Sequence, residues 1–219
     1  MLIAQVYNHG FDFIPKEILQ RIYDPGSTLK KVLIQDLKRY FYKSKILNPQ
    51  SKIKMIYRAL GVLFSNSGYS LAFSEFHENA GVWTFTLKEN NSYPTGNSVS
   101  LIEKFIEENN LQYQVAMITL HADSSDVLFS GAAVAAATGL PVITDLIALD
   151  VALAGNGEFY NSALKKLNIT NESLNELNKA ICVSFMGVLR WREEYNFLSS
   201  VTGAKRSSIG GAVWLGQEG

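Results

Sequence analysis

Apolar residues change period along this chain, and each change marks an element. Residues 57–64 (Tyr-Arg-Ala-Leu-Gly-Val-Leu-Phe) form an almost continuous apolar run of strand length, as a buried strand requires. Residues 65–68 (Ser-Asn-Ser-Gly) have turn chemistry. From 69 to 76 apolar and polar positions alternate, 78–81 (Glu-Asn-Ala-Gly) turns again, and 82–87 (Val-Trp-Thr-Phe-Thr-Leu) alternates as a further strand. The pattern predicts an antiparallel meander.

After Pro94 the grammar becomes helix and strand in turn. Residues 98–109 predict a helix with Leu101, Phe105 and Ile106 facing inward, 115–120 a buried strand, 130–138 a small-residue helix and 141–145 another strand. A long apolar helix begins near Ala180. A polar break, a Ser-Ser-Val-Thr-Gly-Ala-Lys-Arg turn and the Gly210-Gly211 step then lead into a final apolar strand. Strands separated by helices pair in parallel, with functional groups at the strand ends. The expected fold is α/β: a mixed sheet of about five strands with flanking helices.

The N-terminal segment reads differently. Ile14, Ile18, Leu19 and Ile22 fall on one helical face after Pro15, and Asp24-Pro-Gly-Ser27 is a turn. Leu29, Val32, Leu33, Leu37, Tyr40 and Phe41 then stripe a second helix, and 48–52 is a linker. The expected division is a basic helical appendage at 1–54 and an α/β lobe at 55–219. Charge follows it. Of 20 Lys/Arg and 20 Asp/Glu, residues 1–54 hold ten and four (+6), leaving ten and sixteen (−6) for the rest. Such asymmetry fits either a basic segment with its own partner or two parts that attract each other. The basic segment has no aromatic interleaving or known nucleic-acid motif, so a solvated face is expected there, with neither nucleic acid nor membrane as partner.

Composition narrows the chemistry. Hydrophobic content of 47% against 18% charged excludes wholesale disorder. Cys182 is the single cysteine, so no internal disulfide is possible, and inside an apolar helix it reads as a small buried hydrophobe. The N-terminus lacks a signal-peptide layout and no apolar run reaches membrane-span length, so a cytoplasmic chain is expected. His9, His77 and His121 lack the spacing of a zinc site. Gly155 and Gly157, like Gly210-Gly211, are too sparse for a dinucleotide fingerprint.

Two runs carry a resemblance. Residues 180–214, from the apolar helix through Ser-Val-Thr-Gly-Ala-Lys-Arg to Ile-Gly-Gly-Ala-Val-Trp, resemble the C-terminal end of the anhydro-N-acetylmuramic acid kinases, bacterial enzymes of cell-wall recycling and amino-sugar metabolism. Residues 140–157 (Leu-Pro-Val-Ile-Thr-Asp-Leu-Ile-Ala-Leu-Asp-Val-Ala-Leu-Ala-Gly-Asn-Gly) resemble that family's L-P-V-V-x-D-F-R-x-x-D-V-A-x-G-G-Q-G loop of the sugar site. The resemblance extends back to Ile56, and implies one lobe of the actin-like, ribonuclease H-like superfamily.

It also implies where chemistry would sit. Asp145 and Asp150 fall on two family acids, one of which is the base on the water that opens the anhydro ring; spacing leaves open which. Asn156 and Gly157 lie in the same substrate loop, and His121, in Ile118-Thr-Leu-His-Ala-Asp-Ser124, matches a family histidine at a strand end. On the residues alone, Asp150 also reads as a helix-start cap before Val151. Ser65, Asn66 and Ser67 occupy the place of the family's first phosphate loop, in a shorter turn with no carboxylate, which also reads as an ordinary hairpin turn.

The departures point away from activity. The family arginine is Ile147 here, and its A-P-L run is Glu158-Phe-Tyr160. Only eleven residues, 161–171, separate Tyr160 from Glu172, where the family carries most of a second lobe with its adenosine motif. A kinase of this kind clamps nucleotide between two lobes. The expectation is therefore a degenerate, non-catalytic relative that has lost the family's ATP and magnesium and binds no metal. It would act by association as a homodimer, through Ala180, Gly187, Trp191 and Tyr195, or by weak amino-sugar binding. The alternatives are an ATP-dependent anhydro-sugar kinase or hydrolase completed by a second chain, and a basic-helix binding module.

Overall fold

A computed structural model describes residues 55–123, 130–169 and 175–216. The chain divides into two units, Met1–Lys52 and Ile53–Gly219, and every described residue belongs to the second. The expected helical appendage and linker at 1–54 lie outside the described residues.

The meander is present. β1 (Ile56–Ser65), β2 (Gly68–Asn79) and β3 (Val82–Tyr93) pair antiparallel, β1 with β2 from Ile56 opposite His77 to Ser65 opposite Gly68. Gly68 is obligatory: its φ is +110°, and a Cβ there would lie 2.3 Å from the Tyr93 carbonyl oxygen. β3 runs to Tyr93 rather than stopping at residue 87, because as an edge strand its outer half is exposed and needs no apolar alternation.

The remaining elements are α1 (Ser98–Glu108), β4 (Met117–Ala122), α2 (Gly131–Thr138), β5 (Val142–Thr144), α3 (Ala148–Ala152), α4 (Tyr160–Lys166), α5 (Glu176–Trp191), α6 (Ser199–Thr202) and β6 (Ala212–Trp214). Asn97 caps α1 by accepting from the N–H groups of Val99 and Ser100. Its buried face is Ile102, Phe105 and Ile106; Leu101, expected to point inward, is only half-buried at the margin.

β4 pairs parallel with β1 and β5 parallel with β4, while β6 closes the edge antiparallel to β5. The order is β3-β2-β1-β4-β5-β6, six strands. β2 thus lies antiparallel between β3 and β1, with β4 and β5 following parallel to β1. The α/β fold read from the sequence is the fold of this unit.

Alternation along the strands builds two layers. Leu60, Val62, Leu71, Phe73, Ile118 and Leu120 meet α1 and α2 on one face; Ala59, Leu63, Ala72 and Phe76 meet α5 on the other. Every residue of α5 from Ala180 to Leu189 is buried, because Phe159, Leu164 and Phe197 cover the side turned from the sheet. The helix sits unusually close to the strands. A Cβ on Gly61 would lie 2.0 Å from the Ala180 carbonyl oxygen, and one on Gly187 would lie 1.8 Å from Thr119 Oγ1. Ala180 and Gly187, expected to permit close approach of a second copy, are occupied by this molecule's own sheet. Among the described residues, no helix is long and apolar enough to cross a membrane.

Candidate functional site

The parallel strands β1, β4 and β5 end on the same side of the sheet, where an open α/β sheet places its ligands. Ser65, Asn66, Ser67, His121, Asp145, Asp150, Asn156 and Gly157 lie at these ends or in the segments that follow them.

Beyond β1, Ser65, Asn66 and Ser67 make a tight hairpin turn. The Ser65 and Ser67 hydroxyls are 2.7 Å apart and the Ser67 N–H donates to Ser65 Oγ at 3.2 Å. The turn satisfies its own hydroxyls.

Beyond β4 the structure assembles a charged cluster. Asp123, held by its own N–H on the Phe64 carbonyl, accepts the Tyr160 hydroxyl at 2.6 Å on Oδ1 and the Lys179 ammonium at 2.9 Å on Oδ2. His121 Nε2 stands 3.6 Å from Asp123 Oδ1, and its ring meets Phe159 edge-on at 5.1 Å. Glu176 shares the Lys179 ammonium at 3.4 Å. Desolvation opposes ionisation of Asp123, but the neighbouring His121 ring and the hydrogen bonds from Tyr160 and Lys179 outweigh it and hold the carboxyl well below the usual carboxylate range. Burial first, then the bond to Asp123, pushes the Tyr160 phenol far above its ordinary value. Lys179 is raised: burial acts against its charge, and Asp123 and Glu176 overcome that. These shifts drive proton affinities apart, so the cluster is a tie between β4, α4 and α5 and a poor proton relay. Of its members only His121 was foreseen. Tyr160 and Lys179 lie 37 and 56 residues from their partner, and nothing in the sequence joins them.

Beyond β5, Asp145 and Asp150 have opposite fates. Asp145 is exposed, at φ +53°, and accepts from the Thr144 hydroxyl at 2.8 Å, which itself accepts from Trp214 Nε1 at 3.0 Å. Asp150 is completely buried. Its Oδ1 accepts the Thr202 hydroxyl at 2.8 Å and its Oδ2 accepts the Gly157 N–H at 3.1 Å. Gly155 lies over it so tightly that a Cβ would sit 2.1 Å from Oδ2. The helix-cap expectation is corrected. Ile147 occupies the cap position of α3, and Asp150 lies within the first turn, aimed away from the free N–H groups. Asn156 is exposed; its Oδ1 accepts the Glu158 N–H at 2.9 Å and its own N–H donates to the Thr202 carbonyl at 3.0 Å.

The structure thus groups Asp150 with Asn156, Gly157 and Thr202, and His121 with Asp123. Among the described residues, no hydrogen bond or ion pair joins His121 to Asp145 or Asp150. The sequence missed Thr202, although it lies in the 180–214 run that carries the resemblance, 52 residues from Asp150. The described residues at these strand ends do not fit magnesium-nucleotide. The phosphate-loop turn has no acid, and the nearest strand-end carboxylate already holds an ammonium that would repel a divalent cation. Among the described residues, no group of three or more acids, histidines or cysteines has the geometry of a metal site.

No protein-family model matches the chain, and no curated protein matches it. Among solved structures it is similar to T. thermophilus RuvC in complex with Holliday junction substrate, at 13% identity and a TM-score of 0.40, over 63% of this chain and 96% of that one. A likeness of that size speaks to neither chemistry nor partner.

Proposed function

We propose that this chain is a shortened, non-catalytic relative of the anhydro-N-acetylmuramic acid kinases that acts by association with a second copy of itself. The observation that carries the proposal is the state of Asp150. A base must reach a substrate water, and this carboxylate has no exposed atom and both oxygens hydrogen-bonded inside the protein. The two sequence runs that resemble the kinases meet at that Asp150–Thr202 bond. Asp123 is likewise committed to Tyr160 and Lys179.

Association draws support from the surface beyond α5. Trp191 is 43% exposed, Tyr195 58% and Val201 39%, while the small residues of α5 are spent internally. Aromatic residues of this kind supply most of the energy of protein interfaces. Weak amino-sugar contact, where it persists, falls to exposed Asp145 rather than to Asp150. Sedimentation velocity at micromolar concentration should show a dimer that Trp191→Asp with Tyr195→Asp converts to monomer, and calorimetry with Mg-ATP should show no binding. A wild-type monomer at high micromolar concentration overturns the association, and micromolar ATP affinity overturns the loss of catalysis.

A further inference from the structure

Asn156 stands between two glycines in an exposed loop, and the loop's hydrogen bonds arrange every group its side chain needs to react with its own backbone. The Glu158 N–H, 2.9 Å from Asn156 Oδ1, folds the carboxamide back over the peptide bond to Gly157. The ring so closed contains Cγ, Cβ, Cα, the carbonyl carbon and the Gly157 nitrogen, the five atoms of a succinimide. The same N–H polarises the carboxamide as an oxyanion donor would. The Gly157 N–H points at Asp150 Oδ2, 3.1 Å away, so a fixed carboxylate faces the one proton that must leave the attacking nitrogen. Glycine at 157 removes the side chain that would crowd the approach, and its φ of +73° is one that only glycine holds without strain.

We propose that Asn156-Gly157 is a self-modification site, at which the folded loop converts Asn156 to aspartate and isoaspartate. The Gly157 nitrogen attacks Asn156 Cγ as its proton passes to Asp150 Oδ2, and charge develops on Oδ1 under the Glu158 N–H. The tetrahedral centre collapses, the Cγ–Nδ2 bond breaks, and Nδ2 departs as ammonia carrying the proton back from Asp150. Solvent water then opens the succinimide at either carbonyl. The opening at the backbone carbonyl adds a methylene to the main chain, at the point where the loop seals Asp150.

The test compares the purified folded chain with the same chain in urea, over about pH 6 to 8. Conversion is followed at Asn156 by peptide mapping, ammonia release and enzymatic methylation of isoaspartate, with Asn156→Gln as the background control. The folded chain should convert at least about tenfold faster than the unfolded one, a threshold set below the roughly 10²–10⁴-fold a positioned base contributes. Its rate should be nearly flat with pH, since the protein supplies the base, while the unfolded rate rises in proportion to hydroxide. Asp150→Asn should bring the folded rate down to the unfolded one; where that variant does not fold, the pH profile of the wild type decides. A folded rate equal to or below the unfolded rate, or one that follows hydroxide, overturns the proposal.

Discussion

Replacing Thr202 by valine tests whether Asp150 is a structural anchor. Valine keeps the shape of threonine and removes only the hydroxyl, which donates to Asp150 Oδ1 at 2.8 Å and accepts the Ala204 N–H at 3.3 Å. Both residues are buried, Asp150 at 0% and Thr202 at 4% exposure, so water cannot replace the lost donor without opening the loop. A hydrogen bond to a charged acceptor is worth about 1.5–3 kcal/mol, much of it the cost of leaving a buried oxygen unsatisfied. For a unit of this size each kcal/mol moves the midpoint by about 2–4 °C, so Thr202→Val should lower Tm by about 3–12 °C in scanning calorimetry. Asp150→Ala should cost more, about 2–4 kcal/mol, since it strands the Thr202 hydroxyl and the Gly157 N–H together. The double variant should then cost clearly less than the two single changes added, because the shared bond is counted once. Were Asp150 a surface cap or a solvent-facing sugar ligand, Thr202→Val would leave Tm within about 1 °C of wild type, and that result refutes the reasoning.

Two further outcomes follow from the proton affinities. Asp123 has a folded pKa depressed below its ordinary 3.8, so its contribution is fully present above that value and drains away as pH falls toward the folded pKa. Acid titration of stability should therefore show wild type losing its advantage over Asp123→Asn below about pH 4, and parallel curves for the two proteins would count against the cluster. Burial, aided by Glu158, pushes the Cys182 thiol up to about 12, so a thiol reagent at neutral pH should label it only at the rate of unfolding; rapid labelling of the native protein would contradict its burial on α5.

Much of the fold was legible because burial imposes its period on the strands. Residues 57–64 and 69–76 lie in the centre of the sheet, where each side chain must fit a defined face, and their apolar pattern marked them at once. The outer half of β3 escaped because an edge strand facing solvent can be made of Lys88, Glu89, Asn90 and Asn91. Leu101 in place of Ile102 on the buried face of α1 is a shift of one residue in helical phase, which a short periodic stretch does not resolve. At the site, the sequence marks the loops at the strand ends, and the structure supplies the partners within them. His121, Asp145 and Asp150 each sit in the expected loop, but the partners that decide their roles, Asp123, Thr144 and Thr202, include one from a distant turn whose link no local spacing encodes.

The three acids at the strand ends differ in how their hydrogen-bonding capacity is spent, and that difference, more than their position, separates structure from chemistry here. Asp150 has both oxygens taken by the chain and no exposed atom; it specifies the loop's shape. Asp123 keeps some exposure but has an ammonium and a phenol bound to it, so any incoming cation or substrate proton must displace partners already in place. Among these three described acids Asp145 alone is open, with a single donor from its neighbouring threonine. A pair of opposed, unequal proton affinities around a reachable water is what hydrolysis of a cyclic sugar demands, and among the described residues these strand ends offer one exposed aspartate. Chemistry that needs only an internal nucleophile and a fixed base has what it requires a few residues away, in the loop that Asp150 holds.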